Sequence, residues 1–106
     1  MGNIVEMSGT TATDEDGQVQ GINDPYQQTR YILGKVAKYL QMAGATMEDV
    51  IRTRIFVTDI SQWEAVGRAH GEFFGDIKPT TSMVEVAKLI NPELLVEIEV
   101  SAVVHS

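Results

Sequence analysis

Two carboxylates near the C-terminus have the residue type and spacing for acid–base chemistry. Glu97 and Glu99 stand two residues apart in the strand-like run 95–104, so both side chains would share one face of a strand. Paired carboxylates can act as general acid and base, but carboxylates on a sheet also commonly form structural ion pairs. Arg52 and Arg54 alternate in the same way in an earlier strand-like run, so both interpretations remain open from the residues alone.

The other residues that could do chemistry form no known catalytic motif. His70 and His105 are far apart in sequence and lack carboxylates at metal-ligand spacing, so we expect no metal site. His70 also falls in a helical apolar pattern, which favours a packed residue over a ligand. The chain has no cysteine, which excludes disulfides and thiolate nucleophiles. Gly17 and Gly21 are not followed by the Lys-Ser/Thr pair of a phosphate-binding loop.

The composition predicts one globular domain, residues 1–106, and disfavours several kinds of partner. Of the residues, 43% are hydrophobic and 22% charged, as in ordinary folded domains. The net charge of −7 argues against nucleic acid and anionic lipid, because both attract clustered cations. The sequence shows no basic-then-apolar leader and no apolar run of about 18 residues, so we expect no membrane span. The lack of cysteine suits a cytoplasmic location.

The hydrophobic patterns predict the element order β-α-β-α-β-β. One helix begins at Asp24-Pro25, with Asp as N-cap, and ends at Gly44, whereas the other is capped by Ser61 and ends at Gly75. Strands are predicted at 3–8, 50–58, 80–87 and 95–104. The turn at 91–93 should join the last two strands as a hairpin. An α+β fold fits this order best, with one sheet and both helices on the same face.

The predicted strands also have a second face of mixed character. In the run 50–58, Ile51 and the residues at 53, 55 and 57 should face the helices, with Arg52 and Arg54 on the other side. If that other side coincides with the Glu97 and Glu99 face and with the face of 81 and 83, charges and apolar groups interleave there. Such a face is either solvated or buried against other copies of the chain.

Several segments resemble the YjgF/RidA family. They are RIFVTDI at 54–60, KPTTSMVEVAKL at 78–89 and VEIE at 96–99. The usual family forms of the last two are PARSxVEVARL and IEIEA. Near the front, Gly2-Asn3 followed by Ser8-Gly9 is similar to the first conserved strand of the family, so the resemblance covers nearly the whole chain.

The resemblance implies a fold, an assembly and a reaction. The fold is the chorismate-mutase-like α+β fold, which matches the element order predicted above. The assembly is a homotrimer with clefts for small ligands between subunits. The reaction is hydrolysis of reactive enamines and imines to 2-keto acids and ammonia, with neither a metal nor an organic cofactor.

The resemblance also assigns residue roles. Glu97 matches the family glutamate that positions or activates water, so it is the candidate catalytic residue. Ser8 and Gly9 match residues that line the cleft. Met83 stands where the family often has cysteine, and Gly67 stands where it often has asparagine. We expect Ser8, Gly9, Gly67 and Met83 to bind the ligand, together with Thr81.

Position 81 departs from the family pattern. Thr81 replaces the arginine that binds the substrate carboxylate as a bidentate pair, and threonine cannot make that fork. Arg54 or Lys78 could supply a substitute cation. The strand that usually precedes the Gly-Asn segment of the family is also missing from this sequence. We therefore expect a hydrolase of enamines, imines or related metabolites other than a standard 2-iminobutanoate/2-iminopropanoate deaminase, or alternatively a non-enzymatic small-molecule-binding or regulatory trimer.

Overall fold

The computed structural model describes residues 2–105, whose main elements follow the predicted order β-α-β-α-β-β. The bounds are β1 Gly2–Thr11, α1 Pro25–Met42, β2 Val50–Val57, α2 Trp63–Phe74, β3 Thr80–Glu85 and β4 Val96–His105. Short 3-10 turns at Met47–Asp49 and Ile60–Gln62 precede β2 and α2. The four strands form one sheet and the two helices pack together on one side of it, which confirms the α+β fold class.

The strand order in the sheet is β1-β4-β2-β3. β4 runs antiparallel to both β1 and β2, whereas β3 runs parallel to β2. The predicted β3–β4 hairpin is therefore wrong, although the turn itself forms, with the Leu94 N–H donating to the Asn91 carbonyl at 2.9 Å. Because α2 carries the chain back across the sheet, β3 can pair in parallel with β2, and β4 then fills the place between β1 and β2.

The helix boundaries follow local capping chemistry. The Asp24 carboxylate accepts a hydrogen bond from the Gln27 N–H at 3.0 Å, and Gly44 follows the helix end with a φ of +83°, as predicted. The predicted Ser61 cap of α2 is wrong. Asp59 instead accepts from the Ser61 N–H at 3.0 Å, which forms a 3-10 turn and delays α2 until Trp63. Asp59 caps the turn in place of Ser61 because its carboxylate comes earlier in the chain and is a stronger hydrogen-bond acceptor than a hydroxyl.

The core lies between the helices and one face of the sheet. On β4, Val96, Ile98, Val100 and Ala102 alternate toward the helices and are all fully buried. The apolar stripe of α1 buries Ile32, Leu33, Val36 and Leu40 against them, and α2 adds Val66 and Phe74. Neither helix within residues 2–105 is long and apolar enough to cross a bilayer.

Two shifts in strand register change which residues face the core. One lies between Val50 and Arg52, where Val50 is buried and Ile51 is 54% exposed, so the predicted inward direction of Ile51 is wrong. An extra residue in one strand reverses the alternation on its far side, which sequence spacing alone does not show. The other shift lies between Met7 and Thr10 of β1 and contains Ser8 and Gly9.

A buried glutamine holds the start of β4. The Gln28 side chain is fully buried in α1 and donates to the carbonyls of Gly21 and Glu93 at 3.1 and 2.9 Å. Its amide oxygen accepts from the Leu95 N–H at 2.8 Å. Because Leu95 precedes Glu97 by two residues, this amide fixes the backbone from which Glu97 projects.

Candidate functional site

Glu97 lies on the open face of the sheet, the side away from the helices. Its side chain rests against the irregular part of β1, where a methyl group added to Gly9 would overlap the Glu97 carboxylate. Ser8 is the exposed neighbour of Gly9 in the same shifted segment. The structure thus brings Gly9 and Glu97 into contact, with Ser8 beside them.

The second carboxylate of the pair has a different role. The Arg54 Nε lies 2.8 Å from the Glu99 Oε1, and both side chains are about one-third exposed. This pair confirms that the arginine and glutamate faces of β2 and β4 coincide. It also engages Arg54, which is therefore no free substitute for the arginine that Thr81 replaces. The ion pairs found within residues 2–105 do not include Glu97, whose carboxylate remains available to a ligand or water.

Thr81 and Met83 lie on the opposite side of the sheet from Glu97. In the parallel β2–β3 pair, Thr81 is opposite Thr53 and Met83 is opposite Ile55. Paired residues point to the same side, and Ile55 is part of the core beneath the helices. Positions 81 and 83 therefore do not share the face of Glu97 and Glu99.

A chain of hydrogen bonds links Thr81 to α2. The Thr81 hydroxyl donates to the Pro79 carbonyl at 3.1 Å and lies 2.9 Å from the Thr53 hydroxyl. The Thr53 hydroxyl in turn lies 2.9 Å from the Nε2 of His70. Thr53 is fully buried, whereas Thr81 is exposed at the edge of the sheet. These hydrogen bonds therefore connect the half-buried imidazole of His70 to a hydroxyl that a ligand can reach.

His70 is a packed residue, as its position in the helical pattern predicted. Its ring stacks on Phe74 with centroids 4.8 Å apart. Burial lowers the pKa of His70 below its ordinary value of 6.5, so the ring is neutral at pH 7. Sequence reasoning missed the partner of His70. The available signal was Thr53, a polar residue in line with the apolar Ile55 and Val57 on the helix-facing side of β2.

The remaining predicted residue stands apart from these contacts. Gly67 is exposed on α2, three residues before His70. A Cβ added there would meet no atom of the described chain within 4 Å. The structure therefore leaves open space at Gly67 but does not bring it into contact with Glu97, Thr81 or Met83.

The predicted site residues thus form two groups on opposite sides of one sheet. Ser8, Gly9 and Glu97 belong to the open face, while Thr81 and Met83 belong to the helix side. Within residues 2–105, no group of three or more histidines and carboxylates could hold a metal ion.

A separate cleft of about 230 Å³ opens near the end of β2. It is lined by Asn23, Pro25, Val57, Thr58, Asp59, Gln62, Val66 and Leu95. This set shares no residue with the predicted site. The predicted site residues therefore do not line this cleft.

Comparisons with known proteins agree with the fold and extend over nearly the whole chain. A family model described as endoribonuclease L-PSP matches residues 1–104. An uncharacterized protein of Streptomyces coelicolor is 38% identical over 101 residues, which cover 95% of this chain and 75% of that protein.

Solved structures of related proteins have the same fold. A Mycobacterium tuberculosis protein, described as a member of the YjgF/YER057c/UK114 family, is 49% identical with a TM-score of 0.86, over 98% of this chain and 81% of that one. The E. coli YjgF gene product is 30% identical with a TM-score of 0.85, over 95% of this chain and 80% of that one. Sequence motifs, family model and fold agree, and this chain belongs to the YjgF/YER057c/UK114 (endoribonuclease L-PSP) family.

Proposed function

We propose that this protein is a small-molecule hydrolase that acts on reactive enamines, imines or related metabolites in clefts between the subunits of a homotrimer. The observation that carries the proposal is the division of the family-matched residues between two faces of one sheet. Gly9 and Glu97 meet on the open face, whereas Thr81 and Met83 lie on the helix side. A single copy cannot line one cleft with both groups, but two neighbouring copies can.

The open face has the composition of a surface that a second copy covers. Ile4 is 75% exposed and Val84 is 47% exposed, and both lie on the side of the Arg54–Glu99 pair. The two residues lie on opposite edge strands, so a second copy laid over this face would bury both of them together with the ion pair between them. Because β3 is an edge strand, the open face of one copy can receive the β3 edge of the next, which carries Thr81.

Glu97 supplies the acid–base function in this proposal. Its carboxylate is half-buried and takes part in no ion pair within residues 2–105, so it can accept a proton from a bound water. The water oxygen adds to the imine carbon, and both protons of that water pass to the nitrogen, the first by way of Glu97. The carbon–nitrogen bond then breaks to release ammonia and a keto compound. An enamine reaches the same step after it tautomerises to the imine.

Thr81 defines which substrates the proposal excludes. A 2-imino acid carries a carboxylate, and a charge-assisted arginine fork is the strong way to hold such a group. Thr81 has no charge, and Arg54 is committed to Glu99 on the other face. The standard substrates, 2-iminobutanoate and 2-iminopropanoate, are therefore expected to be poor.

The same substitution favours a second candidate function. A trimer that keeps the cleft and loses the carboxylate anchor could bind a small molecule without transforming it, as a regulatory protein does. RNA cleavage is disfavoured in spite of the family description, because the net charge of −7 opposes contact with a phosphate backbone.

The deciding experiment measures ammonia and keto-acid release from freshly generated 2-aminoacrylate and 2-iminobutanoate. Wild type is compared with Thr81→Arg and with Glu97→Gln. We expect weak acceleration by wild type, at least a tenfold gain in Thr81→Arg and loss of that gain when Glu97→Gln is added. No acceleration by either wild type or Thr81→Arg would contradict the hydrolase and favour the binding protein.

The assembly has its own measurement. Light scattering at micromolar concentration is expected to give about three times the chain mass of 11.7 kDa. A mass of one chain would contradict both the trimer and the cleft built from two copies.

A further inference from the structure

Three short contacts link His70, Thr53, Thr81 and Pro79, and when each is taken as a hydrogen bond they run in one direction, because the Pro79 carbonyl can only accept. A threonine hydroxyl has one hydrogen to donate. The Thr81 hydroxyl donates its hydrogen to the Pro79 carbonyl at 3.1 Å, so its oxygen must accept in the 2.9 Å contact with Thr53. The Thr53 hydroxyl then donates its hydrogen to Thr81, so its oxygen must accept from the Nε2–H of His70 in their 2.9 Å contact.

Burial and ring contacts hold Thr53 and His70 in the positions that these hydrogen bonds require. Thr53 is fully buried on β2, and the stacking on Phe74 fixes the His70 ring. Successive hydrogen bonds that run the same way strengthen one another. The result at the exposed end is a Thr81 oxygen whose hydrogen is already engaged and whose remaining lone pair can accept a bond.

We propose that Thr81 selects ligands that present a hydrogen-bond donor, such as a primary amide, over ligands that present a carboxylate at the same place. The chain from His70 through Thr53 sets this preference, and both are positioning residues rather than catalytic ones. A carboxylate offers only acceptors, so it would have to draw the Thr81 hydrogen away from Pro79 and would meet the net negative charge of the protein. This inference rests on the proposed function, because it places the ligand at Thr81.

The direction of the hydrogen bonds from His70 to Pro79 can be measured without any ligand. Two-bond proton–nitrogen correlation spectra of the folded protein are expected to show His70 protonated at Nε2, with Nδ1 unprotonated above its pKa. Thr53→Ser, which keeps a hydroxyl, should preserve this tautomer, whereas Thr53→Val should raise the share of the Nδ1–H form. An Nδ1–H tautomer in wild type would reverse the chain and overturn the inference.

The selectivity can be measured with three small probes: propionamide and propionate, which have the same shape, and the cation propylammonium. Binding is followed by the methyl resonance of Thr81 in wild type and by neighbouring methyl groups in Thr81→Ser and Thr81→Val. We expect propionamide to bind wild type and Thr81→Ser about three- to tenfold more tightly than propionate, which is the usual worth of one hydrogen bond. Thr81→Val, followed through neighbouring methyl groups, should lose the preference, and Thr53→Val should weaken it.

Each other outcome has a distinct meaning. Tighter binding of propionate to wild type overturns the inference and leaves the proposed cleft standing. A preference for propylammonium that survives Thr81→Val shows that net charge decides, which also overturns it. If none of the probes perturbs residue 81 although the imine assay is positive, the inference fails alone. If both experiments are negative, the proposed function fails with it.

Discussion

The carboxylate of Glu97 occupies the space that a side chain at residue 9 would need. Gly9 belongs to the segment of β1 where the register against β4 shifts between Met7 and Thr10. The register shift and the lack of a side chain at Gly9 together leave the space that the Glu97 carboxylate fills beside the exposed Ser8. The contact joins residues at opposite ends of the chain and is made entirely by the pairing of β1 with β4.

Gly9→Ala is expected to displace the Glu97 carboxylate without unfolding the protein. The added methyl group collides with the flexible end of a side chain, which can rotate away, so the change in unfolding free energy should stay within about 1 kcal/mol. Any hydrolase activity should fall at least as far as in Glu97→Gln, because the water-binding group has moved. The measurement is the imine assay beside a urea titration.

Gly34→Ala is the matched control for that variant. Gly34 is exposed on α1, and a Cβ there would meet no atom of the described chain within 4 Å. Alanine should add about 1 kcal/mol to the free energy of unfolding through helix propensity and leave activity unchanged. Full activity in Gly9→Ala would show that the resting place of Glu97 is irrelevant.

The Arg54–Glu99 pair reports whether the open face is covered. The pair is about one-third exposed in a single chain, where removal by Glu99→Gln should cost about 1 kcal/mol or less. If a second copy buries the pair, the same change leaves an unpaired buried arginine and should cost about 3–5 kcal/mol. We expect the larger cost, together with a melting temperature of wild type that rises with protein concentration. A small cost and a concentration-independent melting temperature would indicate a solvated face.

The burial of His70 predicts how stability changes with pH. Burial lowers the pKa of His70 below 6.5 in the folded state, so the unfolded chain takes up a proton first as the pH falls. The contribution of His70 to stability is thus complete above pH 6.5 and is lost as the pH falls toward the folded-state pKa. Urea titrations between pH 8 and pH 5 should show wild type losing stability faster than His70→Gln, which can still donate to Thr53 from its amide. Parallel curves for the two proteins would contradict this assignment.

Gln28 is predicted to be a major stabilising residue. Gln28→Met keeps the length of the side chain and removes three hydrogen bonds, which leaves the Glu93 carbonyl and the Leu95 N–H without this partner, while the Gly21 carbonyl still accepts from the Asp24 N–H. Buried polar groups that lose partners cost about 1–3 kcal/mol each, so the total loss should reach at least about 2 kcal/mol. Gln27→Met on the exposed side of α1 should stay within about 0.5 kcal/mol. Equal effects of the two substitutions would remove Gln28 from this role.

The sequence determined the elements and most of their boundaries. The 3.6-residue spacing of apolar side chains, the Asp24 cap and the glycine at 44 place α1 by interactions within a few residues. The alternation in β4 likewise settles which of its side chains enter the core. The family motifs are local strings as well, and they were sufficient to identify the family and to select Glu97 and Thr81 for attention.

Only the tertiary structure decided which strands meet and which faces coincide. Alternation gives two faces for every strand but does not say which neighbour it takes, so the β3–β4 hairpin was a reasonable prediction and was wrong. The parallel pairing of β3 with β2 turned Thr81 toward Thr53 and His70, and the bulge at Val50 turned Ile51 outward. Pairing and register are set by the packing of distant segments around one core, and that energy belongs to no short stretch of sequence.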